Sequence, residues 1–271
     1  MSGEVVVSVR RTRVAVVSEE RLPARRGGVE TSVRTAAVWA TVSRYAAARA
    51  AAVGRPLRVL DLGGGSGGLA VPLAGAGHDI VVVDPSPDAL ASLQRRAAEA
   101  GVATRVRALQ GDADGLTGLL AGDRVDLVVC HGTLEFVDDP GVTLRHLAAV
   151  LDDGGVLSVV VAQRYAAVLS RAIAGSFARA QRALTSADGR WGGDDPVPRR
   201  FDRDALVALI EAAGLTVEEA HGIRIFTDLV PSATLDSEAD RQALLALEEA
   251  ASSHPALAAL GTALHVVAAR P

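Results

Sequence analysis

The chain has 271 residues, 49% of them hydrophobic, 22% charged and 3% aromatic. That is a globular profile with a core of Ala, Val and Leu, large enough for one α/β domain, and it argues against disorder over most of the length. A net charge of −4 speaks against a surface that coats nucleic acid broadly, and the single Cys130 excludes an internal disulfide.

Residues 1–28 carry six Arg ahead of Gly27 and Gly28 and show no pairing pattern; they are expected to be an arm preceding a domain over 29–271. Apolar residues recur at helical spacing over 32–52. A regular series follows: strand 57–62, helix 67–76, strand 79–84, helix 86–100, strand 104–109, a short helix near 116–121, strand 125–130, helix 141–151 and strand 155–162. Runs such as "IVVVD", "DLVVC" and "VLSVVVA" suit strands buried on both faces. Beyond them, 164–184 reads as helix, 185–200 as a Gly/Pro/Asp loop, 202–213 as a helix capped by Asp202 and ended by Gly214, and 217–226 as a strand. A helix near 237–252 and a strand over 264–270 close the chain. The alternation predicts an α/β fold, a doubly wound and mostly parallel sheet of seven strands, with a helical insertion after the fifth strand at about 163–213.

Charge is unevenly spread. All 28 basic residues are Arg, which reflects GC-rich coding rather than a design for phosphate recognition. Residues 160–205 hold eight Arg against five Asp, a balance of +3, whereas 206–271 hold three Arg against nine acids, a balance of −6. No charged start followed by an apolar run resembles a signal peptide, so the cytoplasm is the default compartment, and neither a membrane nor a metal is expected as a partner.

The stretch "VLDLGGGSGGLAVPLA" from Val59 to Ala74 carries the chemistry. Strand, glycine turn and helix in that order place the loop at the carboxyl end of a strand, where open α/β sheets bind ligands. Gly63, Gly65 and Gly68 satisfy the dinucleotide fingerprint, with Asp84 at the end of the next strand as the ribose acceptor. Asp61, Gly63, Gly65 and Gly67 equally satisfy an acidic-x-G-x-G-x-G pattern, which resembles motif I of class I S-adenosylmethionine-dependent methyltransferases. Charge separates the two ligands. A pyrophosphate would meet the Asp61 carboxylate as a like charge, whereas S-adenosylmethionine brings an ammonium and a sulfonium. A tight turn for the glycines and a helix cap for Asp84 are the plainer alternatives.

The segments "CHGTLEFVDDP", "GGVLSVVVAQRYAAVLSRAIAGSFARAQ", "IRIFTDL" and "LHVVAARP" narrow the resemblance. From about Ser32 to the C-terminus the chain resembles the tRNA 5-carboxymethoxyuridine methyltransferase family, whose members esterify a modified wobble uridine. That resemblance implies S-adenosyl-L-methionine as cofactor and a pocket of Arg34, Asp61, Gly63, Gly64, Gly65, Asp84, Asp112, Ala113 and His131, with Arg34 and His131 contacting the cofactor. It implies the tRNA anticodon loop as partner; a small-molecule carboxyl or hydroxyl acceptor is the alternative. Ala162 and Gln163 stand where the family has a polar pair, and "SADGRWGGDDPVPRR" replaces a lysine-rich loop, both on the acceptor side.

A carboxylate with a pKa near ~4 is already ionised at neutral pH and needs no base, so no catalytic proton carrier is expected. The rate would come from holding carboxylate and methyl at near-attack distance, an effect that supplies roughly 7 to 11 kcal/mol. Arg224, Arg164, Arg199 and Arg200 are the candidates for binding the acceptor carboxylate or flanking phosphates; solvated surface Arg is the alternative for each.

Overall fold

The computed structural model describes residues 36–231 and 237–271, so the expected arm over 1–28 lies outside the described residues. Helix α1 (Ala36–Val53) leads into strand β1 (Arg58–Leu62), the short helix α2 (Ala70–Gly75), β2 (Asp79–Asp84), α3 (Pro87–Glu99) and β3 (Val106–Gln110). Next come α4 (Leu116–Leu119), β4 (Val125–His131), α5 (Pro140–Val150) and β5 (Leu151–Ala162). The chain continues through α6 (Arg164–Ile173), α7 (Phe177–Thr185), α8 (Arg203–Ala212), β6 (Thr216–Ile223), α9 (Glu238–Ser252) and β7 (Ala263–Ala269).

Local chemistry sets the helix starts. Ser86 accepts a hydrogen bond from Ala89 N ahead of Pro87, Asp139 accepts from Gly141 N and Val142 N ahead of Pro140, and Asp202 accepts from Ala205 N. Each satisfies backbone donors that a helix start otherwise leaves orphaned.

The strands form one sheet in the order β3-β2-β1-β4-β5-β7-β6, with β7 antiparallel to β5 and β6 and the remaining pairs parallel. This is the doubly wound α/β sheet the alternation predicts. Its order reverses between β1 and β4, which opens a crevice at their carboxyl ends. Strand residues alternate between two cores. Leu60, Val128 and Leu157 pack with Leu144, Leu147, Leu206 and Ile210 of α5 and α8, while Val59, Leu127 and Val129 pack with Val42, Leu73 and Leu93 of α1, α2 and α3.

Four expectations are adjusted. The helix expected over 164–184 breaks at Gly175, whose φ of +71° ends α6 and lets α7 turn away. Within 163–213, α8 belongs to the helix layer of the sheet, since Leu206 and Ile210 are fully buried. The strand expected over 217–226 stops at Ile223, because Arg224 takes a φ of +56° and Glu248 captures the N–H groups of Ile225, Phe226 and Thr227. The strand expected over 155–162 begins at Leu151, and its pairing to β4 skips from Leu151 to Val156. Among the described residues no helix is long and apolar enough to cross a membrane.

At the amino edge of the sheet, Asp126 is fully buried and receives Arg55 Nη1 at 2.7 Å, Arg55 Nη2 at 3.1 Å and the Arg58 backbone N–H at 2.8 Å. Burial alone would push its carboxyl up; the hydrogen bonds from Arg55 and Arg58 outweigh that and hold it below the usual range. Asp126→Ala leaves these donors without their acceptor under the sheet, and a loss of about 3 kcal/mol in urea unfolding is expected. A loss below about 1 kcal/mol would show the pair to be ornamental.

Candidate functional site

Strand β1 delivers Asp61 and Leu62 to the crevice, and the chain then turns through glycines. Gly63 has a φ of +71°, and a Cβ built on it would overlap the Thr133 hydroxyl, which donates to Leu62 O at 3.0 Å. A Cβ on Gly64 would lie 2.5 Å from Asp61 Cγ and 2.9 Å from Val82 Cγ1. The loop thus lies directly over the Asp61 carboxyl, which closes it off to 3% exposure.

Asp61 therefore sits beneath the loop. No hydrogen bond reaches it among the described residues, although its oxygens are not sealed from the surface. Burial, aided by the nearby Asp84 charge, pushes its carboxyl up to about 7. Asp84 is fully committed on its inner side: Oδ2 accepts from Gly65 N at 2.9 Å and Oδ1 from Ser86 N at 2.8 Å. Each oxygen retains a second lone pair, which suits two vicinal ribose hydroxyls.

This arrangement fits S-adenosyl-L-methionine and not a pyrophosphate. The Gly65 N–H, which a phosphate would use, is already given to a carboxylate, and two acids flank the turn. A carboxylate lacking any donor beneath the loop is an electrostatic deficit that a cation corrects.

A cavity of about 450 Å³ continues from Gly63 along the ends of β2, β3 and β4, lined among others by Asp112, Ala113, Thr133, Phe136 and Val137. Asp112 Oδ1 accepts from Asp114 N and Gly115 N, an Asx turn that leaves Oδ2 without a hydrogen bond among the described residues. His131 ends β4 on the face of α1, since it shares parity with Leu127 and Val129, and its Nε2 lies 2.8 Å from Ser158 Oγ. Structure thus gathers Gly63, Asp112 and Ala113 on one cavity, with Asp61 beneath the loop of Gly64 and Gly65 and Asp84 hydrogen-bonded to that loop, whereas His131 is not part of the cavity lining. Arg34 lies outside the described residues.

The four acceptor-side arginines divide. Arg200 forms a buried bidentate pair with Asp195 at 2.6 and 3.0 Å. Arg164 donates to the carbonyls of Ser186 at 2.8 Å and Ala187 at 2.9 Å. Arg199 donates to Val137 O at 2.9 Å and so braces the cavity wall. Tertiary folding spends all three on holding the 185–201 loop, which corrects their reading as cations free to meet an acceptor. Arg224 differs: only Nε is engaged, to Thr262 Oγ1 at 2.9 Å and near Asp228 at 3.3 Å. It lines a second cavity of about 500 Å³ between α1, β6 and α9.

Sequence reasoning missed Thr133, Phe136 and Ser158. Signals existed: a hydroxyl in the apolar run "VLSVVVA", and an aromatic inside "LEFV", 63% exposed at the cavity. Gln163, which replaces part of the family's polar pair, donates from Nε2 to Ala258 O, Gly261 O and Ala263 O and so ties β5 to the approach to β7.

Comparisons agree with this geometry. A family described as a methyltransferase domain matches residues 36–220. The tRNA 5-carboxymethoxyuridine methyltransferase of Escherichia coli (strain K12) is 29% identical over 245 residues, covering 90% of this chain and 91% of that protein. A ubiquinone biosynthesis O-methyltransferase of Azorhizobium caulinodans is 35% identical over 168 residues, covering 62% of each. Among solved structures, the magnesium protoporphyrin IX methyltransferase of Synechocystis PCC 6803 with bound SAH has the same fold, with a TM-score of 0.56 and 17% identity over 92% of this chain and 90% of that one.

Proposed function

The chain belongs to the methyltransferase domain family and is an S-adenosyl-L-methionine-dependent methyltransferase, and from that premise we propose that it esterifies the carboxylate of 5-carboxymethoxyuridine at the tRNA wobble position. The observation that carries this reading is the extent of the likeness: similarity to the tRNA enzyme runs through 90% of the chain, whereas that to the ubiquinone enzyme covers 62%.

The bound cofactor supplies an electrophilic methyl on a sulfonium. Asp84 holds the ribose, Asp61 balances the positive charge, and the acceptor site must bring one carboxylate oxygen in line with that methyl. Transfer would form a C–O bond to that oxygen as the S–C bond breaks, the electron pair staying with sulfur. No proton moves, so the chain's work is binding and alignment. Arg224 is the proposed partner of the acceptor carboxylate or a flanking phosphate, since both its Nη nitrogens are unspent among the described residues.

Helices α6 and α7 support a nucleic-acid partner. Residues 164–185 carry four Arg and no acid, and Tyr165, Ile173 and Phe177 are exposed on them, Phe177 by 72%. Arginine beside exposed rings is the chemistry on which splayed bases stack. Arg171 and Arg179 bracket Trp191 at 4.5 and 4.9 Å, which stiffens this surface against the loop.

Labelled-methyl transfer to total tRNA, with mass spectrometry of the wobble nucleoside, should yield the methyl ester, with binding that weakens steeply as salt rises. Transfer to small acids or phenols alone, indifferent to salt, would replace this reading with small-molecule O-methylation, which the ubiquinone-pathway relative favours.

A further inference from the structure

Three polar side chains form a chain inside the sheet, on the face covered by α1. Ser158 Oγ lies 2.8 Å from His131 Nε2 and 2.8 Å from His265 Nε2, and the two rings meet edge-on at 5.6 Å. Ser158 and His265 are buried at 2% and 0% exposure. Such a chain in the middle of apolar strands costs desolvation, so its geometry calls for a role.

Proton counting fixes its direction. Burial pushes His265 down to about 4 and holds His131 well below the usual range, the latter aided by repulsion from His265, so both rings are neutral and each has a single N–H to place. Ser158 has one hydroxyl proton and two imidazole partners. The arrangement without a stranded proton has it accept from one ring and donate to the other. His265 Nδ1 is buried with no partner, and a bare lone pair there is cheaper than an orphaned N–H. His265 therefore carries its proton on Nε2 and donates it to Ser158 Oγ. The Ser158 hydroxyl in turn donates to His131 Nε2. That leaves the His131 proton on Nδ1, which is not among the buried atoms and bonds to no described residue at the crevice end of β4.

We propose that Ser158 and His265 are positioning residues that fix His131 as an Nδ1–H donor at the crevice end of β4, two residues past the partner of Asp61 and on the same face of the sheet, where it is offered to the bound cofactor. This rests on the cofactor site and not on the acceptor, so the fate of the tRNA reading leaves it untouched. Its logic resembles the second layer around a metal-bound histidine, where the far nitrogen's hydrogen bond sets what the near one offers.

Nitrogen-15 spectra of histidine-labelled protein test it directly. The wild-type protein should show His131 as the Nδ1–H tautomer and His265 as the Nε2–H tautomer, and adding S-adenosylhomocysteine should shift the His131 Nδ1 signal. Ser158→Ala should mix the His131 tautomers and weaken S-adenosylhomocysteine binding by about tenfold, the worth of one such hydrogen bond. Ser158→Thr keeps the hydroxyl and should restore both. A wild-type His131 protonated at Nε2, or an Nδ1 signal indifferent to S-adenosylhomocysteine, overturns the proposal without needing any variant to fold. Unchanged affinity and tautomer in a folded Ser158→Ala overturns it as well.

Discussion

Asp61→Asn is expected to make the ligand-free protein more stable at about pH 8 while stripping it of most affinity for S-adenosyl-L-methionine. The carboxyl is 3% exposed, lies under Gly64 and has no hydrogen-bond donor among the described residues. Burial first, and the Asp84 charge second, raise it to about 7. A carboxyl whose folded pKa lies above its unfolded one stabilises the fold most at acid pH, and that contribution is lost as pH rises from about 4 through about 7. The gap corresponds to an upper bound of about 4 kcal/mol, and the neutral amide recovers part of it. Chemical denaturation of both proteins across this range should give curves that diverge as pH rises.

Binding runs the other way. A cation beside Asp61 favours the ionised form, so binding at mildly acid pH expels a proton, and affinity should climb up to about tenfold per pH unit before flattening above about pH 7. Asp61→Asn should abolish that slope and cost about 2 kcal/mol, roughly 30-fold, in calorimetric titrations. S-adenosylhomocysteine, which keeps the ammonium but lacks the sulfonium, tells which cation the carboxylate serves. An Asn variant with unaltered stability and unaltered affinity would dismiss Asp61 as a bystander.

Asp84→Ala is expected to lower cofactor affinity by about 100-fold or more, since at least two hydrogen bonds to a charged acceptor, each worth roughly 1.5 to 3 kcal/mol, are lost together. The same carboxylate receives Gly65 N and Ser86 N, so the substitution frees the glycine turn from the start of α3 as well as removing the ribose partner. Asp84→Asn separates the two contributions: its one carbonyl oxygen can keep a single backbone donor, and affinity should fall between the wild type and Ala. If calorimetry found Asp84→Ala within about fivefold of wild type, the ribose would have to be held elsewhere.

The glycine turn and the acids beside it are legible because they are local. Asp61, the glycines and Asp84 fall within one strand-turn-helix-strand unit, and the turn demands glycine where Gly63 meets Thr133 and Gly64 covers Asp61. The acceptor side is not local. Arg164 at the start of α6, and Arg199 and Arg200 in a loop rich in Arg and Asp, look like free cations, yet their guanidiniums go to Ser186 O, Val137 O and Asp195. Only folding shows which charges are spent.

By itself the sequence determined the alternation of strands and helices, the glycine turn and the acid that ends β2, because hydrophobic period and backbone freedom are properties of neighbours along the chain. Tertiary structure alone decided that Asp61 lies buried without a donor, that Arg224 differs from the other three arginines, and that His131 meets His265 through Ser158. Those facts depend on which distant strands pair and on what water is excluded from, and a contact bridging 107 positions leaves no periodic trace in sequence.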